Sequence, residues 1–170
     1  LETYSLDIIK HPSISKINPK RFEIGSVFKL PFTNEYFDYV FIHDVLHHID
    51  EENQSFEKHT EALAEMKRVC KNLGHIIIVE GNRFNPLFYP HMVKKLGHDH
   101  WVQSYFFKVV KTIFPHAEFY FFESHNYPWG WRFLWKLYEF IMENVLPKKF
   151  IAYNISIIKR RRKLWKISSK

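Results

Sequence analysis

Two short apolar runs bracket one amphipathic stretch in the first half of the chain, and nothing else in the sequence restricts the fold as tightly. Residues 37–42 (Phe-Asp-Tyr-Val-Phe-Ile) mix aromatic and β-branched side chains over a length that suits a buried strand. Residues 75–80 (His-Ile-Ile-Ile-Val-Glu) form a continuous apolar run, the pattern of a strand covered on both faces. Between them Ala62, Leu63, Met66, Val69, Cys70 and Leu73 recur at spacings of three and four, which predicts a helix over 53–73 with Gly74 as its stop. A strand, helix and strand in that order favour a parallel sheet, so an α/β fold is expected.

Ahead of this unit, residues 3–9 read as a strand ending at Asp7, and residues 21–24 as a second strand stopped by Gly25. Pro12 and Pro19 exclude a sheet interior between the two. Behind the unit come a Pro-containing loop over 81–90, a short helical piece, helices over 103–114 and 131–145, and strands over 117–123 and 150–158. With 170 residues and 46% hydrophobic content, one buried core suffices. The expected organisation is a single domain over 1–158, divided into an early half (1–80) and later elements (81–158), followed by a basic tail over 159–170.

An aromatic content of 18% excludes a disordered chain. Cys70 is the sole cysteine, so no internal disulfide can form and a reducing, cytoplasmic setting is expected. Its place in the helical pattern makes it a packing group. No apolar run approaches the ~18 residues of a membrane-spanning helix. The chain opens at Leu1 within strand-like sequence, and a preceding segment is expected. The formal charge of +7 is concentrated in Lys159 to Lys170, where seven of twelve residues are Lys or Arg. Such a cluster attracts lipid or nucleic-acid phosphates, or simply solvates a tail. Without a recognition fold, no specific nucleic-acid partner is predicted.

Ligands of open parallel sheets bind at the carboxyl ends of the strands, where helix N-termini and loop amides converge. The polar groups at those ends are Asp7, then Ser26 with Val27, then His43, Asp44, His47 and His48, and lastly Glu80, Asn82, Arg83 and Asn85. A strand-end carboxylate such as Asp7 can accept hydrogen bonds from both hydroxyls of a ribose, or merely cap its own turn.

Residues 21–32 (Arg-Phe-Glu-Ile-Gly-Ser-Val-Phe-Lys-Leu-Pro-Phe), 36–40 (Tyr-Phe-Asp-Tyr-Val) and 45–49 (Val-Leu-His-His-Ile) resemble the class I S-adenosylmethionine-dependent methyltransferases of the small-molecule type. Residues 65–69 (Glu-Met-Lys-Arg-Val) and 73–80 extend the likeness, which covers about 4–85 in the same order and spacing. The resemblance implies a Rossmann-like three-layer α/β/α fold, its sheet mostly parallel with an antiparallel strand near the C-terminus, and S-adenosyl-L-methionine as cofactor. By that likeness Asp7, with Ile8 beside it, holds the ribose. Ser26 and Val27 meet the adenine, and His43 and Asp44 line the methionine end. The family commonly has Asp where Ser26 stands, and a serine accepts the adenine amino group more weakly. The family's first strand and glycine-rich turn have no counterpart, since none of the five glycines lies in a Gly-x-Gly arrangement. The resemblance places that strand between those ending at Asp7 and Ile42, so this chain alone is expected to bind cofactor poorly or not at all.

The implied reaction is attack by a small-molecule or lipid-linked acceptor on a sulfonium methyl group, a transfer that needs alignment and dryness more than a dedicated catalytic residue. Where the acceptor must lose a proton, His47 or His48 is the candidate general base. Glu80, Asn82, Arg83, His98 and His100 are the candidate acceptor contacts. His91 with His98-Asp99-His100 matches no well-defined zinc spacing, so no metal is assigned. In the helix over 131–145, Trp131, Leu134, Trp135, Tyr138, Ile141, Met142 and Val145 form an apolar stripe that reads as core packing. Joined to the basic tail, the same stripe would instead anchor the chain peripherally to an anionic membrane. A rival reading is a non-catalytic methyltransferase-like module held to an acidic surface or partner by its tail. A nicotinamide-dependent Rossmann enzyme matches the strand-end motifs less well.

Overall fold

The computed structural model describes residues 2–10, 21–124 and 131–160; the loop containing Pro12 and Pro19 and residues 161–170 of the basic tail lie outside them. Two sheets are present among the described residues. In the smaller, β1 (Ser5–Asp7) pairs in parallel with β2 (Phe22–Ile24), and Asp7 lies opposite Ile24. The larger contains β3 (Phe37–His43), β4 (Cys70–Gly81), β5 (Glu118–Phe122) and β6 (Tyr153–Lys159), in the order β3-β4-β6-β5. β3 and β4 run in parallel, as the strand, helix, strand order requires. β6 inserts antiparallel between β4 and β5, and it is the antiparallel strand expected near the C-terminus. The fold is the expected Rossmann-like α/β class.

Helices α1 (Phe56–Val69) and α2 (Gln103–Ile113) cover one face of the larger sheet. Ala62, Leu63 and Met66 of α1 and Phe106, Val109 and Val110 of α2 are buried with Ile76 and Ile78 of β4 and Ile158 of β6. Each large apolar side chain removed from water here contributes about 1.5–3 kcal/mol. Ser55 caps α1, its side-chain oxygen accepting from the Lys58 N–H. On the opposite face Tyr39, Phe41, Tyr120 and Ile157 remain exposed. No ladder joins the two sheets; instead Tyr4 packs edge-on against Phe32, Tyr36 and Phe37 at centroid distances of 5.7–5.8 Å.

Two elements differ from the sequence reading. Helix α1 ends at Val69 and not at Leu73, so Cys70 opens β4 and is not helical. The carbonyls of Arg68 and Val69 accept the N–H groups of Glu35 and Tyr36 at 2.9 and 2.8 Å, and Cys70 joins Phe37 in the ladder. Those tertiary bonds end the helix before its apolar periodicity runs out. Gly74 is therefore no cap; it lets the chain pass close to Asp38, whose carbonyl oxygen lies 2.8 Å from where a Cβ would stand.

The second difference is α3 (Arg132–Asn144). Only Met142 of its apolar stripe is fully buried, while Trp131, Leu134, Ile141 and Val145 are exposed, as are Phe133, Leu137 and Phe140. Core packing explains one narrow side of this helix and leaves a broad apolar side uncovered among the described residues. No helix among them is long and apolar enough to cross a membrane.

Candidate functional site

Glu80 ends the buried face of β4 with its carboxylate wholly buried, and it organises the loop after β3. One oxygen accepts the N–H groups of Val45 and Leu46 at 3.0 and 2.7 Å, the free donors at the start of the short turn Leu46–His48. The other oxygen accepts from Nδ1 of His47 at 2.7 Å. A carboxylate only accepts, so the His47 proton sits on Nδ1 and its Nε2 presents a lone pair.

That lone pair points at Nε2 of His98, 3.1 Å away, and His98 Nε2 lies 3.2 Å from Nε2 of His48. Nδ1 of His48 is bonded in turn to the Glu51 carboxylate. His98 is delivered from the far side of the chain. The wide turn Tyr89–Lys95 closes with Leu96 and His98 donating to the carbonyls of His91 and Met92 at 3.1 and 2.9 Å, and Gly97, at φ 66°, takes the left-handed conformation that reverses the chain. His100 stacks on His98 with ring centroids 5.1 Å apart and is only 6% exposed, and neither of its ring nitrogens has a partner. Gly81 makes room for it, since a Cβ there would stand 2.8 Å from His100 Nδ1. Burial first, then the nearby His48 and His47, holds His98 below the ordinary histidine range. Burial pushes His100 down to about 4. Both rings are thus neutral near pH 7.

Asp44 locks this cluster to the sheet. Its N–H donates to Val79 at 2.9 Å, and its carboxylate accepts the Gly81 N–H at 2.8 Å and sits 3.2 Å from His43 Nε2. Its φ of 51° is left-handed, a conformation aspartate tolerates better than most residues.

The remaining predicted positions divide in two. Asp7 and Ser26 emerge side by side at the carboxyl ends of β1 and β2, where the Gly25 N–H donates to the Asp7 carbonyl at 3.0 Å. The Asp7 carboxylate is exposed and, among the described residues, accepts only the Ile9 N–H, at 3.2 Å. Ser26 accepts the Phe28 N–H at 3.2 Å and keeps its hydroxyl proton free to donate. Ile8 is 72% exposed, and Val27 packs partly against the core. Asn82 is fully buried and donates to the carbonyls of Lys149 and Ile151 at 2.7 and 2.9 Å. Asn85 is likewise buried, donating to Glu123 and to the Phe150 carbonyl. Glu80 is equally enclosed and is hydrogen-bonded to His47. Arg83 is ion-paired with Asp99.

The structure therefore gathers Asp44, His47, His48, Glu80, His98 and His100 into one cluster, while Asp7, Ile8, Ser26 and Val27 form a separate edge. Sequence reasoning missed Glu51, Gly81 and Gln54 as parts of the site. Gln54 donates to the His47 carbonyl at 3.1 Å and accepts the Trp101 indole N–H at 2.7 Å. A hollow of roughly 230 Å³ opens beside His100, between Gln54, Arg83, Asp99, Trp101 and Tyr105, and takes no lining from β1 or β2.

Comparison with known proteins bears on the fold and on the first half of the chain. Residues 3–78 match the family model described as a methyltransferase domain. An uncharacterized methyltransferase of Schizosaccharomyces pombe is 37% identical over 89 residues, which are 52% of this chain and cover 28% of that relative's length. Among solved structures, a SAM-dependent methyltransferase from Archaeoglobus fulgidus superposes with a TM-score of 0.63 at 15% identity, covering 94% of this chain and 76% of that one. The 1,6-didemethyltoxoflavin-N1-methyltransferase of Burkholderia thailandensis, solved with S-adenosylhomocysteine, gives a TM-score of 0.55 at 13% identity over 92% of this chain and 60% of that one. At such identities the structural likeness speaks for the fold.

Proposed function

We propose that this chain, whose residues 3–78 match a methyltransferase domain and whose fold is that of S-adenosylmethionine-dependent methyltransferases, is itself a class I enzyme of that kind and serves methyl transfer to a small-molecule or lipid-linked acceptor. The observation that carries the reading is the exposed Asp7 carboxylate standing beside Ser26 at the carboxyl edge of a parallel pair. Two acceptor oxygens with no ion-pair partner among the described residues suit a ribose diol, and Ser26 and Val27 follow where a base would lie. When bound, the cofactor supplies an electrophilic methyl group on a sulfonium.

On this reading His43 and Asp44 flank the cofactor's reactive end, and the histidine cluster forms the acceptor side. His47 is a positioning residue, because Glu80 and His98 occupy both of its nitrogens. His48 is the better base, because it is half-exposed where His47 is buried, although its Nε2 also faces His98 Nε2 at 3.2 Å. The edge offers the ribose and adenine side of a cradle only, so this chain by itself is proposed to bind cofactor weakly.

Calorimetric titration with S-adenosylhomocysteine tests the assignment on the protein in its longest natural form. Micromolar binding that Asp7→Ala weakens by about tenfold or more, the loss of one charge-assisted hydrogen-bond pair, is expected. Equal affinity in the wild type and the variant, or no binding at all, removes the enzyme reading.

The exposed apolar side of α3 favours a second element of function, peripheral attachment to an anionic membrane surface. Phe133, Leu137 and Phe140 fall on one stripe at spacings of four and three, flanked by Arg132 and Lys136, and Lys148 and Lys149 follow the helix.

A further inference from the structure

We propose that His47, His48 and His98 form a binding site for one divalent transition-metal ion of the zinc type, held by three imidazole Nε2 atoms with the remaining position open to solvent. The three residues come from places 51 and 50 positions apart in sequence and meet only in the fold.

The argument begins with protons. Nδ1 of His47 is committed to the Glu80 carboxylate and Nδ1 of His48 to that of Glu51, so both Nε2 atoms carry lone pairs. His98 Nε2 stands between them at 3.1 and 3.2 Å. One N–H on His98 cannot point along both directions, so hydrogen bonding alone leaves a converging lone pair poorly matched. A single cation satisfies all three at once. Zinc–nitrogen bonds of about 2.0–2.1 Å at tetrahedral angles put ligand nitrogens about 3.3 Å apart, close to the 3.1 and 3.2 Å from His98 to its two partners, and the ligand atoms of all three residues lie within 4.8 Å of one another.

Carboxylates behind ligating histidines are the recurrent second layer of such sites, fixing the tautomer and raising the basicity of the ring. Glu80 provides this from a fully buried position and is itself fixed by two backbone N–H groups. A further observation points to a ligand in the same place: His100, nine-tenths buried, has two unpartnered ring nitrogens, and one of its ligand atoms falls within 4.8 Å of His47 and Asp44. The open position would take water or an anionic oxygen, nitrogen or sulfur donor, the chemistry of an acceptor nucleophile. The site stands on its own geometry and does not depend on methyl transfer.

The test is titration of the metal-stripped 170-residue chain with zinc chloride by calorimetry, with circular dichroism confirming the fold of every variant. Saturable binding of one equivalent is expected. His98→Ala and His48→Ala should each weaken it about 100-fold or more, whereas His91→Ala, on the neighbouring turn, should leave it intact. Cobalt(II) should give the visible absorption of a tetrahedral site in the wild type and lose it in His98→Ala. Absence of saturable binding by the folded chain overturns the proposal. So does full affinity in His48→Ala and His98→Ala, or its abolition by His100→Ala alone, which would move the ion to the Asp44, His47 and His100 side.

Discussion

His59 shows how much one side chain can determine here. It is fully buried on α1, donating from Nε2 to the Ile49 carbonyl at 2.8 Å and accepting at Nδ1 from the Tyr105 hydroxyl at 2.8 Å. Acceptance from the Tyr105 hydroxyl requires the neutral ring, and burial holds its protonation below the ordinary range against the weaker opposing pull of the Ile49 carbonyl, Asp50 and Glu80. A group depressed in the fold contributes its full stability above the unfolded value, about 6.5 for histidine, and loses it as the pH falls toward the folded value. His100, pushed down to about 4, adds in the same direction. The midpoint of urea unfolding should therefore drop between pH 7.5 and pH 5. His59→Phe should narrow that drop while lowering stability at pH 7.5. A midpoint that does not move between the two pH values would count against this account.

Among the elements, the turn between α1 and the body of β4 is the tightest. Leu73 and Gly74 are tied to Arg160 at the end of β6 by bonds of 3.1 and 2.9 Å, and Leu73 takes a φ of 67°. A Cβ at Gly74 would meet the Asp38 carbonyl at 2.8 Å and both Cys70 Sγ and the Lys71 carbonyl at 3.0 Å. Two of those atoms are backbone and cannot swing aside, so Gly74→Ala should destabilise by about 1–3 kcal/mol through overpacking. Thermal or denaturant unfolding measures it, and a loss under about 0.5 kcal/mol, the range of ordinary surface changes, would show that the turn relaxes freely.

At the scale of the whole molecule, the uneven covering of its surfaces matters most. α1 and α2 bury one face of the larger sheet, while α3 keeps Phe133 78% and Phe140 60% exposed. If that side meets a membrane surface, the wild type should co-sediment with vesicles containing phosphatidylserine, more strongly at low than at high salt. The double variant Phe133→Ser with Phe140→Ser should lose most of that binding without losing stability, since neither ring is packed in the core. Equal sedimentation of both proteins would remove the membrane reading of α3.

The sequence by itself determined the parallel unit of β3, α1 and β4, the existence of a last strand, and the strand-end positions of Asp7, Ser26, His43 and Asp44. Each of these follows from periodicity or punctuation within a few residues, which is the range over which backbone propensity and side-chain alternation act. Tertiary structure alone decided where α1 stops, because the Glu35 and Tyr36 amides that take its last carbonyls lie more than thirty residues away in sequence. It also decided that Glu80 is a buried scaffold for His47, and that His98 returns through the Gly97 reversal to meet His47 and His48. Ligand convergence is a property of distances in space, and a spacing of fifty residues in the chain carries no trace of it.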